Sequence, residues 1–129
     1  MSVAILDASA LLALLLGEPG ADKVKAVLTD AAMATVNVAE VVGHFARANA
    51  SENDVRSLLD PLPFERVPFD DELAYAAGLL LPLTKPAGLS FGDRACLALA
   101  RRLRVKALTA DRGWGPVADA IGIEVETIR

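Results

Sequence analysis

Short apolar runs alternate with longer helical runs along this chain, and that alternation constrains the fold more than any other feature. Residues 3–6, 32–35, 64–69, 105–109 and 123–128 read as strands rich in Val, Ile, Leu and Ala. Between them the pattern predicts helices over 8–16, 20–28, 37–48, 51–59, 70–81 and 91–103, with a short one over 116–120. The punctuation agrees. Asn37, Ser51 and Ser90 stand where N-caps belong, Pro61 and Pro63 stop the fourth helix, Pro116 opens the last and Gly122 closes it. Residues 85–88 (K-P-A-G) read as a loop. Strands that alternate with helices predict an α/β fold whose mostly parallel sheet is covered on both faces. At 129 residues the chain is expected to make one domain, 1–129.

Composition narrows the chemistry. Apolar residues make up 53% of the chain, enough for a real core, but aromatics only 5%, so Ala, Val, Leu and Ile must build it. There is one histidine, His44, and one cysteine, Cys96. A two-histidine nuclease, an intrachain disulfide framework and a Cys- or His-rich zinc site are all excluded within one chain. No basic leader is visible, and the apolar stretch 8–17 is too short to span a bilayer. The expectation is a soluble cytoplasmic protein, with a lone thiol suited to a reducing compartment. The net charge is −4, yet residues 94–112 carry Arg94, Arg101, Arg102, Arg104, Lys106 and Arg112 against the single acid Asp111. That window reads either as a solvated helix face or as a strip able to contact phosphates.

Four acids stand in apolar surroundings. Asp7 is the only charge in the first 17 residues and follows the first strand. Glu40 lies alone between Asp30 and Arg47, Asp93 lies in the first turn of an apolar helix, and Asp111 follows the fourth strand. Each also has a structural reading: Asp7 as a helix cap, Glu40 and Asp93 as the acids three residues after Asn37 and Ser90 in N-x-x-E and S-x-x-D capping boxes, Asp111 as a turn residue before Gly113. In a parallel sheet, residues that follow strands or open the next helix gather at one edge. Carboxylates gathered there without cations repel one another, and a hard divalent cation such as Mg²⁺ or Mn²⁺ is the natural neutraliser. Such an ion supports phosphodiester hydrolysis without a histidine.

The segments V-A-I-L-D-A-S-A-L-L at 3–12, T-V-N-V-A-E-V at 35–41, L-S-F-G-D-R-A-C-L-A-L-A at 89–100 and L-T-A-D at 108–111 resemble PIN-domain ribonucleases, in particular the VapC-like toxins of type II toxin–antitoxin pairs. The resemblance spans 3–128. It implies a three-layer α/β/α sandwich around about five mostly parallel strands, and an acidic pocket that binds Mg²⁺ or Mn²⁺ and cleaves RNA. Asp7, Glu40, Asp93 and Asp111 match the family's catalytic and metal-binding acids, the last being the most variable of them. Ser9, Asn37 and Thr109 match positions that support the site. Metal-assisted hydrolysis would break the bond to the 3′-oxygen and leave a 5′-phosphate, with Arg94 and Arg112 steering the RNA backbone. The resemblance further implies a small VapB-like antitoxin partner and a homodimer.

Two other residues are ambiguous in sequence. His44 follows Glu40 by four and reads as a surface residue or a proton shuttle; Trp114 reads as a packing residue or a base-stacking one. Cys96, inside an apolar helix, reads as an inert buried thiol. Among other functions, a phosphoacceptor receiver domain would need paired acids after strand one and a lysine after strand five, and a haloacid-dehalogenase-type phosphatase would need D-x-D where this chain has D-A-S. A PIN-like RNA- or protein-binding module without catalysis is the remaining alternative, and the presence of all four acids weighs against it.

Overall fold

The computed structural model describes residues 1–129. Five parallel strands stand in the order β3-β2-β1-β4-β5: β1 (Ala4–Leu6), β2 (Ala31–Ala34), β3 (Glu65–Val67), β4 (Lys106–Thr109) and β5 (Val125–Thr127). Eight helices connect them: α1 (Ala8–Leu16), α2 (Ala21–Val27), α3 (Thr35–Arg47), α4 (Glu52–Leu59), α5 (Asp71–Leu79), α6 (Leu81–Thr84), α7 (Phe91–Leu103) and α8 (Gly115–Ile121). The fold is the expected α/β architecture, with helices on both faces of a parallel sheet.

Side chains on a strand point alternately to opposite faces, and the two cores follow that alternation. Ile5, Ala32, Ala34 and Ala107 face a cluster built from α5, α7 and α8, including Leu73, Leu97, Leu99 and Val117. Ala4, Leu6, Ala31, Met33 and Leu108 face the other cluster, with Leu11, Val24, Val41, Val55 and Leu59 from α1 to α4. Because both faces are covered, β1 and β2 are wholly buried and read as continuous apolar runs.

Several boundaries differ from expectation. β2 starts at Ala31 and hands over to α3 at Thr35, so Ala34, not Asn37, occupies the N-cap and Asn37 sits inside the first turn. Thr35 Oγ1 instead accepts the Phe69 backbone N–H at 3.0 Å, tying α3 to the segment that follows β3. The third strand keeps only Glu65–Val67; Pro68, with no N–H to donate, ends it. The helix expected through 81 stops at Leu79, and Pro82 lies in the first turn of the separate α6. The helix expected over 20–28 ends at Val27 and passes into a 3₁₀ turn over Leu28–Asp30.

The basic window is divided. α7 runs antiparallel to the strands, so its N-terminus lies at their carboxyl edge and its C-terminus at their amino edge. Asp93 and Arg104 are eleven residues apart in sequence, roughly 16 Å along a helix axis. Arg101, Arg104 and Lys106 therefore lie toward the edge away from the ends of β1 and β4, where Lys106 pairs with Glu126 at 2.8 Å. Arg102 reaches back to Asp70, which follows β3 and caps α5, at 3.0 Å. Most of the window does not form one strip beside the acids. No helix of the chain is long and apolar enough to cross a membrane.

Candidate functional site

The strand order changes direction between β1 and β4. β2 and β3 extend the sheet to one side of β1, while β4 and β5 extend it to the other. In open parallel sheets, the crevice outside the carboxyl ends at such a switch point is where ligands bind. Asp7 follows β1 there, and Thr109 ends β4 beside it.

Asp7 is only 4% exposed. Its Oδ1 accepts the Ser9 hydroxyl at 2.7 Å and the Ala10 backbone N–H at 2.8 Å, and its Oδ2 accepts the Thr109 hydroxyl at 2.6 Å. The capping role read from sequence is therefore real, but it uses one of three bonds. A carboxylate has about four lone-pair sites, so one remains for a ligand. Burial pushes the Asp7 carboxyl up to about 6; the three hydrogen bonds oppose this, and the charge of Asp93 adds to it. Ser9 and Thr109 also brace the β4 exit: Ser9 Oγ accepts the Ala110 N–H at 2.9 Å, and Thr109 Oγ1 accepts the Asp111 N–H at 3.1 Å.

Asp93 is the third residue of α7. It forms a capping box with Ser90: Asp93 Oδ2 accepts the Ser90 N–H at 2.8 Å, and Ser90 Oγ accepts the Asp93 N–H at 3.2 Å. Its other oxygen has no protein partner among the hydrogen bonds at this edge. Burial raises its pKa, and the nearby charge of Asp111 raises it further, against the Arg94 guanidinium. Asp111 shapes its own loop, with Oδ1 accepting the Gly113 N–H at 2.7 Å. Glu40, in the second turn of α3, is exposed; its Oε1 accepts Asn37 Nδ2 at 2.8 Å. Asn37, fully buried, donates a second time to the Gly92 carbonyl at 3.0 Å, so it links α3 to the start of α7. Gly92 has no marker in the sequence beyond being a glycine in a helical first turn.

None of the four acids takes part in an ion pair. They are near enough to act on one another: Asp93 on Asp7, Asp111 on Asp93, and Asp7, Asp93 and Glu40 together on the Cys96 thiol. No three Asp, Glu, His or Cys side chains stand at metal-holding distance from a common point. The donor chemistry nevertheless fits a hard divalent cation, being all carboxylate oxygen with free lone pairs and no ion-paired ammonium or guanidinium.

The remaining residues fall into place around this edge. Arg94 packs over the Phe91 ring at 5.9 Å and reaches the Leu89 carbonyl at 3.4 Å, making no ion pair with a neighbouring acid. Arg112 is tied by Nε to the Arg129 carbonyl at 2.9 Å. Trp114 is 0% exposed, which removes the base-stacking reading. His44 is exposed and stacks edge-on against Phe45. Cys96 is buried, and burial raises its thiol well above the ordinary value, as an inert thiol requires.

Comparison with known proteins adds three findings. The PIN domain family model matches residues 4–120. No curated protein matches the sequence. Among solved structures, a DNA-bound VapBC from Salmonella typhimurium superposes with a TM-score of 0.76 at 13% identity over 100% of both chains. A toxin–antitoxin complex from Klebsiella pneumoniae gives 0.72 at 20% identity over 98% of both. FitAcB from Neisseria gonorrhoeae gives 0.68 at 20% identity, again over 98% of both.

Proposed function

The chain belongs to the PIN domain family, and from that membership and its acidic edge we propose that it is a divalent-cation-dependent endoribonuclease, the toxin of a toxin–antitoxin pair. The observation that carries the proposal is the set of four carboxylates without ion-pair partners at the β1/β4 switch point, with Asp7 buried and oriented by three donors. Burying an acid without a cation is costly. A structural cap would not need three more acids near it.

Asp7, Glu40 and Asp93, with Asp111 beside them, would hold Mg²⁺ or Mn²⁺, which when bound supplies charge neutralisation and Lewis-acid polarisation of a phosphoryl oxygen. Thr109 and Ser9 fix the plane of the Asp7 carboxylate. Ser90 fixes Asp93 at the positive end of α7, where an anionic phosphate is also favoured. Arg94 and Arg112 stand next in sequence to two of the acids and steer the RNA backbone. Water adds to phosphorus as the bond to the 3′-oxygen breaks; the water proton ends on that oxygen and the phosphate stays on the 5′ side. In fold the chain resembles proteins solved as toxin–antitoxin assemblies, which supports a small VapB-like protein as its inhibitor. A cytoplasmic homodimer is the form proposed.

The test is RNA cleavage by wild type and Asp93→Asn with Mg²⁺ or Mn²⁺, and with a chelator. Asparagine keeps the acceptor for Ser90, so the helix cap survives. Wild type should cleave only with the cation, and the variant should be slower by about 100-fold or more. Equal rates, or no cleavage by either over a broad RNA set, would refute the nuclease. Products ending in 2′,3′-cyclic phosphate would refute the hydrolytic route.

A further inference from the structure

Gly92 is the second residue of α7 and does not have a positive φ. Its backbone therefore does not need glycine, and glycine is a poor helix former. The reason lies in α3. A Cβ built on Gly92 would overlap both carboxylate oxygens of Glu40. The Glu40 carboxylate rests against the bare Cα of a neighbouring helix.

Asn37 holds it there. The same Nδ2 donates to Glu40 Oε1 at 2.8 Å and to the Gly92 carbonyl at 3.0 Å. Asn37 Oδ1 is buried and has no partner. Turning the amide over would bring that oxygen against two other oxygens, so the donors fix its orientation. Glu40 has no ion pair to hold it, and its long side chain would otherwise sample many rotamers.

We propose that Gly92 and Asn37 are positioning residues for Glu40: Gly92 leaves the space the carboxylate occupies, and Asn37 supplies the donor that sets its rotamer. This rests on the reading of the chain as a cation-dependent nuclease in which Glu40 is a working acid. A methyl group on Gly92 displaces the flexible end of Glu40 and leaves the backbone where it is. Alanine at 92 therefore separates loss of function from loss of fold.

The experiment compares wild type, Gly92→Ala, Glu40→Ala and the double variant by Mn²⁺ titration calorimetry, RNA cleavage and melting temperature. Gly92→Ala should melt at or above the wild-type temperature. Its Mn²⁺ affinity and kcat should fall about 10- to 100-fold, the range seen when groups that orient metal ligands are lost. In the Glu40→Ala background, Gly92→Ala should change neither quantity further. Wild-type affinity and rate in Gly92→Ala overturn the proposal, as do losses that multiply in the double variant. A drop in melting temperature that Glu40→Ala does not relieve overturns it too, because the clash is then with another group. Wild type that binds Mn²⁺ but cleaves no RNA overturns the nuclease reading alone; Gly92 is then decided on Mn²⁺ affinity. Wild type that binds no Mn²⁺ overturns both.

Discussion

Thr109 donates its hydroxyl proton to Asp7 Oδ2 at 2.6 Å across the boundary between β4 and β1, joining residues 102 positions apart. Thr109 Oγ1 in turn accepts the Asp111 N–H, so one buried hydroxyl sets both the first acid and the loop that carries the last. Thr109→Val keeps the shape and removes both bonds. It should cost about 1–3 kcal/mol in urea unfolding, the range for buried polar groups left unpaired, and lower RNA cleavage by about 10- to 100-fold. Thr109→Ser should retain most of both. A valine variant with wild-type activity would show that Asp7 needs no such orientation.

The Asp7 carboxyl moves from an ordinary 3.8 to about 6 in the fold. Between those values the folded chain keeps a proton that the unfolded chain has released. Stability of the cation-free protein therefore falls as pH rises through that window and levels off above it. The full effect is on the order of 3 kcal/mol. Asp7→Asn should accordingly melt higher than wild type near about pH 7 and no higher near about pH 4. Adding Mg²⁺ at neutral pH should raise the wild-type midpoint but not that of the variant. Thermal unfolding by circular dichroism checks both, and an equal gap at the two pH values counts against the assignment.

These two predictions depend on features of unequal legibility. Asp7, Asp93 and Asp111 were visible because each is an isolated acid next to a strand or helix start, and a parallel sheet gathers such positions at one edge. The site of Asn37 was not. Whether a polar residue caps a helix or enters it depends on which backbone unit leaves the extended conformation, and Ala34, with ψ 143, takes that place. The basic window misled for a related reason: residues contiguous in sequence are spread along a helix, and a helix as long as α7 reaches from one sheet edge to the other. Gly92 was invisible because its neighbour in space is 52 positions away and no local rule refers to it.

Trp114 packs entirely within the cluster under α5, α7 and α8. Trp114→Ala should destabilise by about 3–5 kcal/mol. Binding of RNA should leave the tryptophan emission of the wild type unchanged. Quenching by RNA would place the ring at the substrate.

Arg104 caps α7 in the left-handed region, with φ 56. Glycine adopts that conformation at little cost, whereas other residues pay roughly 1–2 kcal/mol. Arg104→Gly should stabilise the chain by about 1 kcal/mol in chemical denaturation. RNA cleavage should not change, because this end of α7 lies at the edge away from the acids. A loss of cleavage in this variant would reinstate the far basic residues as substrate contacts.

Placing β1 between β2 and β4 also sets a timetable. β1 is made well before β4, so its second neighbour and the hydroxyl that orients Asp7 arrive only with residue 109. Until β4 is synthesised, a growing chain has Asp7, Glu40 and Asp93 but no closed edge to hold them. For a protein proposed to attack RNA, and so able to damage the machinery that is translating it, competence is deferred until β4 has been made.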